Sequence, residues 1–297
     1  MSEGYAPELI DLEEASAEVR ELLQDAARCL RSTWTPDLFL ALAVWPRLLS
    51  QAWEGLRPNV LTNFFEESAD RLRFKAAEDA AAVAAKELPG APLPSEWRPG
   101  DELRRVVDGY HYIYPKTLLA ACALGESLRE AHFGVGPLGT DETAEIPPGP
   151  PEGMPVLAPP PEHELAPEAR GLLSRIRLSL AAPHLPAIFL SLARWPEALA
   201  DAWDFLSAAR ALNAYGPKVA ELQEFARRQS HHLPYPLALN PEKLLGMGLE
   251  PPKVAAAIAY FERLLPEAIF LAAALAVIFR GHLAARGSPF PVPEARL

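Results

Sequence analysis

Two stretches of this chain are near copies of each other: Pro36–Glu54 reads PDLFLALAVWPRLLSQAWE and Pro186–Asp204 reads PAIFLSLARWPEALADAWD. At a constant offset of 150 residues, 10 of these 19 positions are identical. The identical pairs are Pro36/Pro186, Phe39/Phe189, Leu40/Leu190, Leu42/Leu192, Ala43/Ala193, Trp45/Trp195, Pro46/Pro196, Leu49/Leu199, Ala52/Ala202 and Trp53/Trp203. Matches at the same offset continue upstream, for example Glu18 with Glu168. The duplicated unit spans about 130 residues, far more than the 20–50 residues of a solenoid repeat.

The residues around these stretches favour helices, since Ala, Leu, Glu and Arg are abundant and β-branched residues are sparse. From Val19 to Leu30 the apolar residues recur at i, i+3, i+4, i+7 and i+8, the spacing of an amphipathic helix. The chain has 32 prolines in 297 residues. Pro36 and Pro186 are expected to open matched helices, and Pro115 is expected to end or kink one. The sequence predicts an all-α fold.

The duplication also predicts how the chain is organised. We expect a first helical repeat over residues 1–133, a Pro-rich linker over 134–167 and a second repeat over 168–297. The linker holds about ten prolines, which makes an extended, semi-rigid spacer. Two copies of one unit in a chain are expected to pack with pseudo-two-fold symmetry, as a pseudo-dimer. A pocket is then expected between them, lined by residues 34–39 of one half and 186–189 of the other.

Composition excludes several classes of function. The net charge of −11 and the absence of a basic cluster argue against a nucleic-acid partner. Cys29 and Cys122 are too few for a disulfide framework or a zinc site. Met1–Leu12 lacks the apolar core of a signal peptide, and Ala268–Phe279, the most apolar stretch, is shorter than the ~20 residues of a membrane helix. These features predict a cytoplasmic protein without a membrane partner.

Motifs that carry chemistry are few. No histidine pair has metal-binding spacing, and nothing indicates a nucleotide, haem or flavin, so we expect no cofactor. Trp34 has no tryptophan counterpart in the second half, which favours a place in an asymmetric pocket. Asp37 follows Pro36 at the start of a helix, where a carboxylate interacts well with the helix dipole. His111 and Tyr114 belong to a cluster of hydrogen-bonding side chains just before Pro115.

Several motifs resemble a known family, the group I 2-haloacid dehalogenases or DehI family, over nearly the whole length of the chain. The motifs that carry the resemblance are Tyr5-x-Pro7, Trp34 to Trp53, Tyr112-x-Tyr114-Pro115-Lys116, Ala123-Leu124-x-Glu126-Ser127, Ile146-Pro147-x-Gly149-x-Pro151-x-Gly153-Met154, Gly171-Leu172-Leu173, Leu192-Ala193-x-Trp195-Pro196 and Ser288-Pro289-Phe290-Pro291. The resemblance implies an all-α pseudo-dimer with its active site between the repeats. It also implies that an Asp activates water, which displaces halide from either enantiomer with inversion and without an ester intermediate.

Most of the family's site residues are replaced here. The resemblance places the family's Ser-Asp pair, which includes the water-activating carboxylate, on Ala187 and Ile188. It places the Asn that holds the water on Tyr114, and a Tyr near the last helix on Phe261. The pocket Trp is kept as Trp34.

Asp37 falls where the family has Phe. Because the expected pocket is shared by both halves, Asp37 is a candidate to replace the lost base.

Two functions remain open from the sequence. The chain is predicted either to hydrolyse a small 2-substituted (halo)carboxylic acid with an activated water, or to be a catalytically inactive homologue that binds small molecules or serves a structural role. The predicted pocket residues are Trp34, Asp37, His111, Tyr114, Ala187, Ile188 and Phe261. A small-molecule ligand is expected, and a homodimer is compatible with the sequence.

Overall fold

The structure is a computed structural model that describes residues 6–86, 100–129 and 140–291. These residues form helices joined by turns, with a lone β-bridge between Thr62 and Glu145. The α-helices are α1 (Ala17–Cys29), α2 (Asp37–Leu42), α3 (Pro46–Val60), α4 (Asn63–Lys86), α5 (Asp101–Arg129), α6 (Thr140–Thr143), α7 (Pro167–Leu180), α8 (Ala187–Leu192), α9 (Pro196–Arg210), α10 (Tyr215–Ser230), α11 (Pro241–Gly246), α12 (Pro251–Arg280) and α13 (His282–Ala285). The prediction of an all-α fold is confirmed.

Helix starts follow from local sequence. The Ser16 side chain caps α1 by accepting a hydrogen bond from the Val19 N–H, which satisfies one of the free donors of the first turn. Pro46 and Pro196 open α3 and α9, where a missing N–H has no cost and the fixed φ suits a helix. Pro36 and Pro186 precede α2 and α8 as N-cap residues.

The helix bounds recur along the chain. The two bounds of α2 and of α8 differ by 150 residues, as do those of α3 and α9. The long helices α5 and α12 begin at Asp101 and Pro251, again 150 residues apart.

The centre of the fold is formed by α5 and α12, which pack along each other more extensively than any other pair of described helices. α4 packs on α12, and α10 packs on α5. Gly125 of α5 allows a close approach, because a side chain there would collide with the Glu262 carboxylate of α12. Glu262 is buried and accepts hydrogen bonds from Arg129 at 2.8 Å and Arg227 at 2.9 Å, which links α5, α10 and α12.

Pro115 does not end a helix. α5 continues from Asp101 through Pro115 to Arg129, and α12 likewise continues through Pro266. Pro115 is expected from the sequence to end or kink a helix, and the helix does not end there. Each proline removes one backbone hydrogen bond, and the deep burial of both helices against each other stabilises them across the gap.

The predicted linker is partly outside the described residues, which omit 130–139. Its described part is not purely extended, since it contains α6 and a short 3₁₀ turn at Glu162–Glu164. It lies against the first half of the chain: Ile146 donates to the Leu61 carbonyl at 2.7 Å, and Thr33 donates to the Pro155 carbonyl at 2.7 Å.

Among the helices in the described ranges, none combines the length and the apolar character that crossing a membrane requires.

Candidate active site

A narrow cavity lies where the starts of α2 and α8 meet α5 and α12. Its volume is about 20 Å³, enough for one ordered water molecule. The described residues that line it are Trp34, Pro36, Asp37, Leu38, Tyr114, Thr117, His184, Leu185, Pro186, Tyr260, Phe261, Leu264 and Leu265. Both proline N-caps therefore face the same small space.

Asp37 is the acidic residue of this cavity wall. It is the first residue of α2 and is partly buried. Within the described chain its carboxylate has no hydrogen-bond or ion-pair partner, and no nearby cation favours its charge. Loss of solvation on burial raises the pKa of Asp37 to about 7, because burial disfavours the charged form. A carboxyl group that titrates near neutral pH suits general acid–base chemistry.

Aromatic rings from α5 form one side of the site. Tyr110 and Tyr114 stack with ring centroids 5.1 Å apart, and Trp34 meets Tyr110 edge-on at 5.8 Å. The Tyr110 hydroxyl bonds to the Ser191 hydroxyl at 2.7 Å. The Tyr114 hydroxyl accepts a hydrogen bond from the Ile188 N–H at 2.8 Å. Burial raises the pKa of both phenols, and the Asp37 charge adds to the effect, so both remain protonated.

Sequence reasoning missed Tyr260 and His184 as cavity residues. The Tyr260 hydroxyl donates to the His184 carbonyl at 2.7 Å and accepts from the His184 N–H at 3.0 Å. Burial lowers the pKa of His184, so its ring is neutral at pH 7. The signal that could have found His184 is its position, 150 residues after Trp34.

The relatives and solved structures that are similar to this chain are 2-haloacid dehalogenases. No family model matches the chain. The chain is 29% identical to a configuration-inverting 2-haloacid dehalogenase of Alcaligenes xylosoxydans xylosoxydans, over 97% of this chain and 99% of the relative. It is also 29% identical to such an enzyme of Pseudomonas sp. (strain 113), over 64% of this chain and 63% of the relative.

Solved structures agree on the fold. A D-2-haloacid dehalogenase mutant matches with a TM-score of 0.82 and 20% identity, over 93% of this chain and 96% of that one. A complex of such a mutant with D-2-CPA matches with a TM-score of 0.79 and 19% identity, over 94% and 99%. We call the chain DehI-like because it is similar to these dehalogenases in sequence and in fold. The resemblance that its motifs carry extends along the whole chain.

Two residues of this DehI-like protein do not line the cavity although the resemblance placed them in the pocket. Ala187 and Ile188 are buried in the hydrophobic core, with 2% and 0% of their surface exposed. Ile188 offers its backbone N–H to Tyr114, and its side chain packs among other apolar residues. Neither residue is among those that line this cavity, and their place in a substrate pocket stays a prediction.

His111 is also placed elsewhere in this DehI-like protein. Its Nε2 bonds to the Ala285 carbonyl at 2.8 Å, between α5 and α13. Burial lowers the pKa of His111 to about 3, so the ring is neutral. His111 is not among the described residues that line this cavity, and its place in a substrate pocket stays a prediction. The structure does bring Trp34, Asp37, Tyr114 and Phe261 together.

A cluster of buried charged side chains, Arg31, Glu66 and Lys116, includes a residue close in sequence to the cavity residue Trp34. Arg31 precedes Trp34 by three residues and pairs with Glu66, which also contacts the Lys116 Nζ at 2.9 Å. Lys116 lies 3.5 Å from the Tyr112 ring centroid, and burial lowers its pKa. These cations face Glu66 and are not among the residues that line the cavity.

In the described residues, no group of three or more His, Cys, Asp or Glu side chains is arranged to hold a metal ion. The titratable side chains that line the cavity are Asp37, Tyr114, His184 and Tyr260.

Proposed function

We propose that this DehI-like chain is a dehalogenase-like hydrolase in which Asp37 activates a water molecule in the cavity. The observation that carries the proposal is an unpartnered carboxyl group, partly buried in a cavity large enough for one water. The substrate is a small acyl compound with a halogen at carbon 2, of the class of the 2-substituted (halo)carboxylic acids.

The reaction balances without a cofactor. The Asp37 carboxylate takes one proton from water, and the water oxygen forms a bond to carbon 2. The carbon–halogen bond breaks, and the halide leaves with the electron pair. The products are the 2-hydroxy compound, halide and a proton. Attack by a positioned water opposite the leaving group inverts carbon 2.

We also propose that the two runs of helices are tandem copies that form a pseudo-dimer around this cavity. The equal spacing of α2 with α8 and of α3 with α9 supports this. The small-molecule ligand, a homodimer and a cytoplasmic location stay predictions.

The test is halide release from both enantiomers of 2-chloropropionate and from the corresponding amides. Asp37→Asn is expected to lower the rate by roughly 10²–10⁴, the range for loss of a general base. The matched control is Asp204→Asn, which removes an exposed carboxylate of α9 and is expected to change the rate less than about twofold. Equal rates for the wild type and Asp37→Asn would contradict the proposal.

A second candidate is a catalytically inactive homologue that binds small molecules or serves a structural role. The observation that favours it is Ile188, which is fully buried at the position where the resemblance places the water-activating Asp. No halide release by the wild type, and none gained by a folded Ile188→Asp variant, would support this candidate.

A further inference from the structure

We propose that the site at this cavity takes an uncharged acyl compound, such as the amide of a 2-haloacid, in preference to the 2-haloacid anion. Because the cavity has room for one water molecule, its walls must move apart to admit the compound. This proposal rests on the proposed function, since both place the substrate beside Asp37. It differs from the activity that the names of the relatives state, and it follows from the charges and hydrogen bonds at this site.

The first argument is the charge of the cavity wall. Asp37 is acidic, and no Lys or Arg is among the described residues that line the cavity. The groups that face Asp37 from neighbouring elements are the phenols of Tyr110, Tyr114 and Tyr260, together with His184 on the cavity wall. None of them is a cation at pH 7. A substrate carboxylate would add a second negative charge close to Asp37, and such a pair repels strongly where water is excluded.

The second argument is that nearby cations are already engaged. Arg194, whose charge acts on Tyr110, donates to the Ala158 carbonyl at 2.6 Å, and Arg31 pairs with Glu66. Arg177 pairs with Glu162 and donates to the Pro183 carbonyl at 3.0 Å. Arg263 donates to the carbonyls of Leu180 at 3.0 Å and Ala181 at 3.1 Å. Moving one of these groups to a substrate would break contacts it makes here.

The third argument is a free donor. The Tyr114 hydroxyl accepts the Ile188 N–H, and its own proton has no acceptor among the described residues. Tyr114 lines the cavity and is 1% exposed. A buried hydroxyl proton without an acceptor is costly, and the neutral carbonyl oxygen of an amide satisfies it. The structure thus offers one donor for a carbonyl and one base for water.

The experiment compares halide release from 2-chloropropionamide and 2-chloropropionate at pH 8, where Asp37 is ionised. The expected result is a kcat/KM at least tenfold higher for the amide. Lowering the pH to 5.5 is expected to narrow this ratio, because a neutral Asp37 no longer repels the anion. A higher kcat/KM for the anion at pH 8 would overturn the proposal and leave the proposed function standing.

Tyr114→Phe tests the donor. It is expected to raise KM for the amide about tenfold or more, with a smaller change in kcat. Tyr215→Phe is the matched control, because it removes the hydrogen bond of a buried tyrosine hydroxyl to Glu267 at a residue that does not line the cavity. Equal effects of the two variants on KM would show that Tyr114 has only a structural role, which contradicts the third argument.

Calorimetric binding of the unreactive propionamide and propionate separates the two proposals. If neither chloro compound releases halide, the proposed function fails. Propionamide binding at least tenfold tighter than propionate then still supports the uncharged ligand class. Equal affinities, or tighter binding of propionate, overturn it.

Discussion

Two loops of this molecule have nearly the same backbone and different chemistry: residues 31–36 before α2 and residues 181–186 before α8. Each loop begins with a non-glycine residue of positive φ, 59° at Arg31 and 47° at Ala181. Each ends in a proline whose carbonyl accepts a hydrogen bond from the phenylalanine three residues later, at 2.9 Å and 3.0 Å. The shared prolines and apolar residues thus specify the backbone twice.

Charged side chains occur in the first loop and at the residue after it, Arg31 and Asp37, whereas the second loop carries none at pH 7. Arg31 is fully buried and pairs with Glu66, whereas Ala181 is exposed. Asp37 enters the cavity, whereas Ala187 packs in the core. Buried charges are unfavourable unless they are paired or serve a function. The difference therefore shows that the first half contributes the charged residue of the cavity wall, whereas the second half contributes uncharged side chains, including His184 and Tyr260.

The largest expected loss of stability comes from the buried ion pair of the first loop. Glu66→Gln leaves Arg31 buried without its counter-charge, which is expected to lower the free energy of unfolding by about 3–5 kcal/mol. The matched variant is Glu162→Gln, which breaks a partly exposed pair between the linker and Arg177 of the second half and should lower the free energy of unfolding by about 0–1 kcal/mol. Urea denaturation measures both. Similar losses in the free energy of unfolding for the two variants would contradict the expected difference between a fully buried and a partly exposed ion pair.

The next prediction concerns Asp37, whose replacement by Asn is expected to raise the free energy of unfolding. Its folded pKa of about 7 lies above the ordinary value of 3.8. Between these two pH values the unfolded chain releases the proton and the folded chain keeps it, so stability falls as pH rises from about 4 to 7. Asp37→Asn removes this dependence and is expected to be more stable than the wild type by up to about 4 kcal/mol at pH 8.

The difference between Asp37→Asn and the wild type should vanish near pH 4, where Asp37 is protonated in both states. Denaturation at pH 4 and pH 8 checks this. An equal stability difference at the two pH values would show that Asp37 is well solvated.

The smallest effect tests the shared backbone. A left-handed conformation at a non-glycine residue has a cost, so Ala181→Gly is expected to stabilise the chain by about 0.5–1 kcal/mol. Ala259→Gly, at an exposed position inside α12, should instead destabilise it by about 1 kcal/mol. Thermal unfolding of both variants is the measurement. If Ala181→Gly lowered the melting temperature as much as Ala259→Gly, this would contradict the positive φ at Ala181.

The helices were predictable because local pattern determines them. Apolar spacing, proline positions and the offset of 150 residues indicated α1, α2, α8 and α9 correctly. The effect of Pro115 was not predictable, because the contacts that keep α5 helical across it come from α12, far away in sequence. The rule that proline breaks a helix considers the local chain alone and omits the contacts that a buried helix makes in the core.

The candidate site was predictable only in part for a similar reason. Trp34, Asp37 and Phe261 were named from the sequence, and they line one cavity. His111 and Tyr114 lie on one helix three residues apart, and only packing decides which of them faces the cavity. The roles of Tyr260 and His184 depend on a hydrogen bond between α12 and the loop before α8, which no local pattern shows.

The most direct test of Asp37 as the base is the pH dependence of halide release for the wild type and Asp37→Asn, measured with the faster of the two chloropropionyl substrates. The general base must be ionised, so the wild-type kcat/KM should rise with one ionisation near pH 7 and level off above about pH 8. The residual activity of Asp37→Asn should lack this ionisation. A wild-type profile that is flat between pH 5.5 and 9, or the same inflection in the variant, would contradict the assignment.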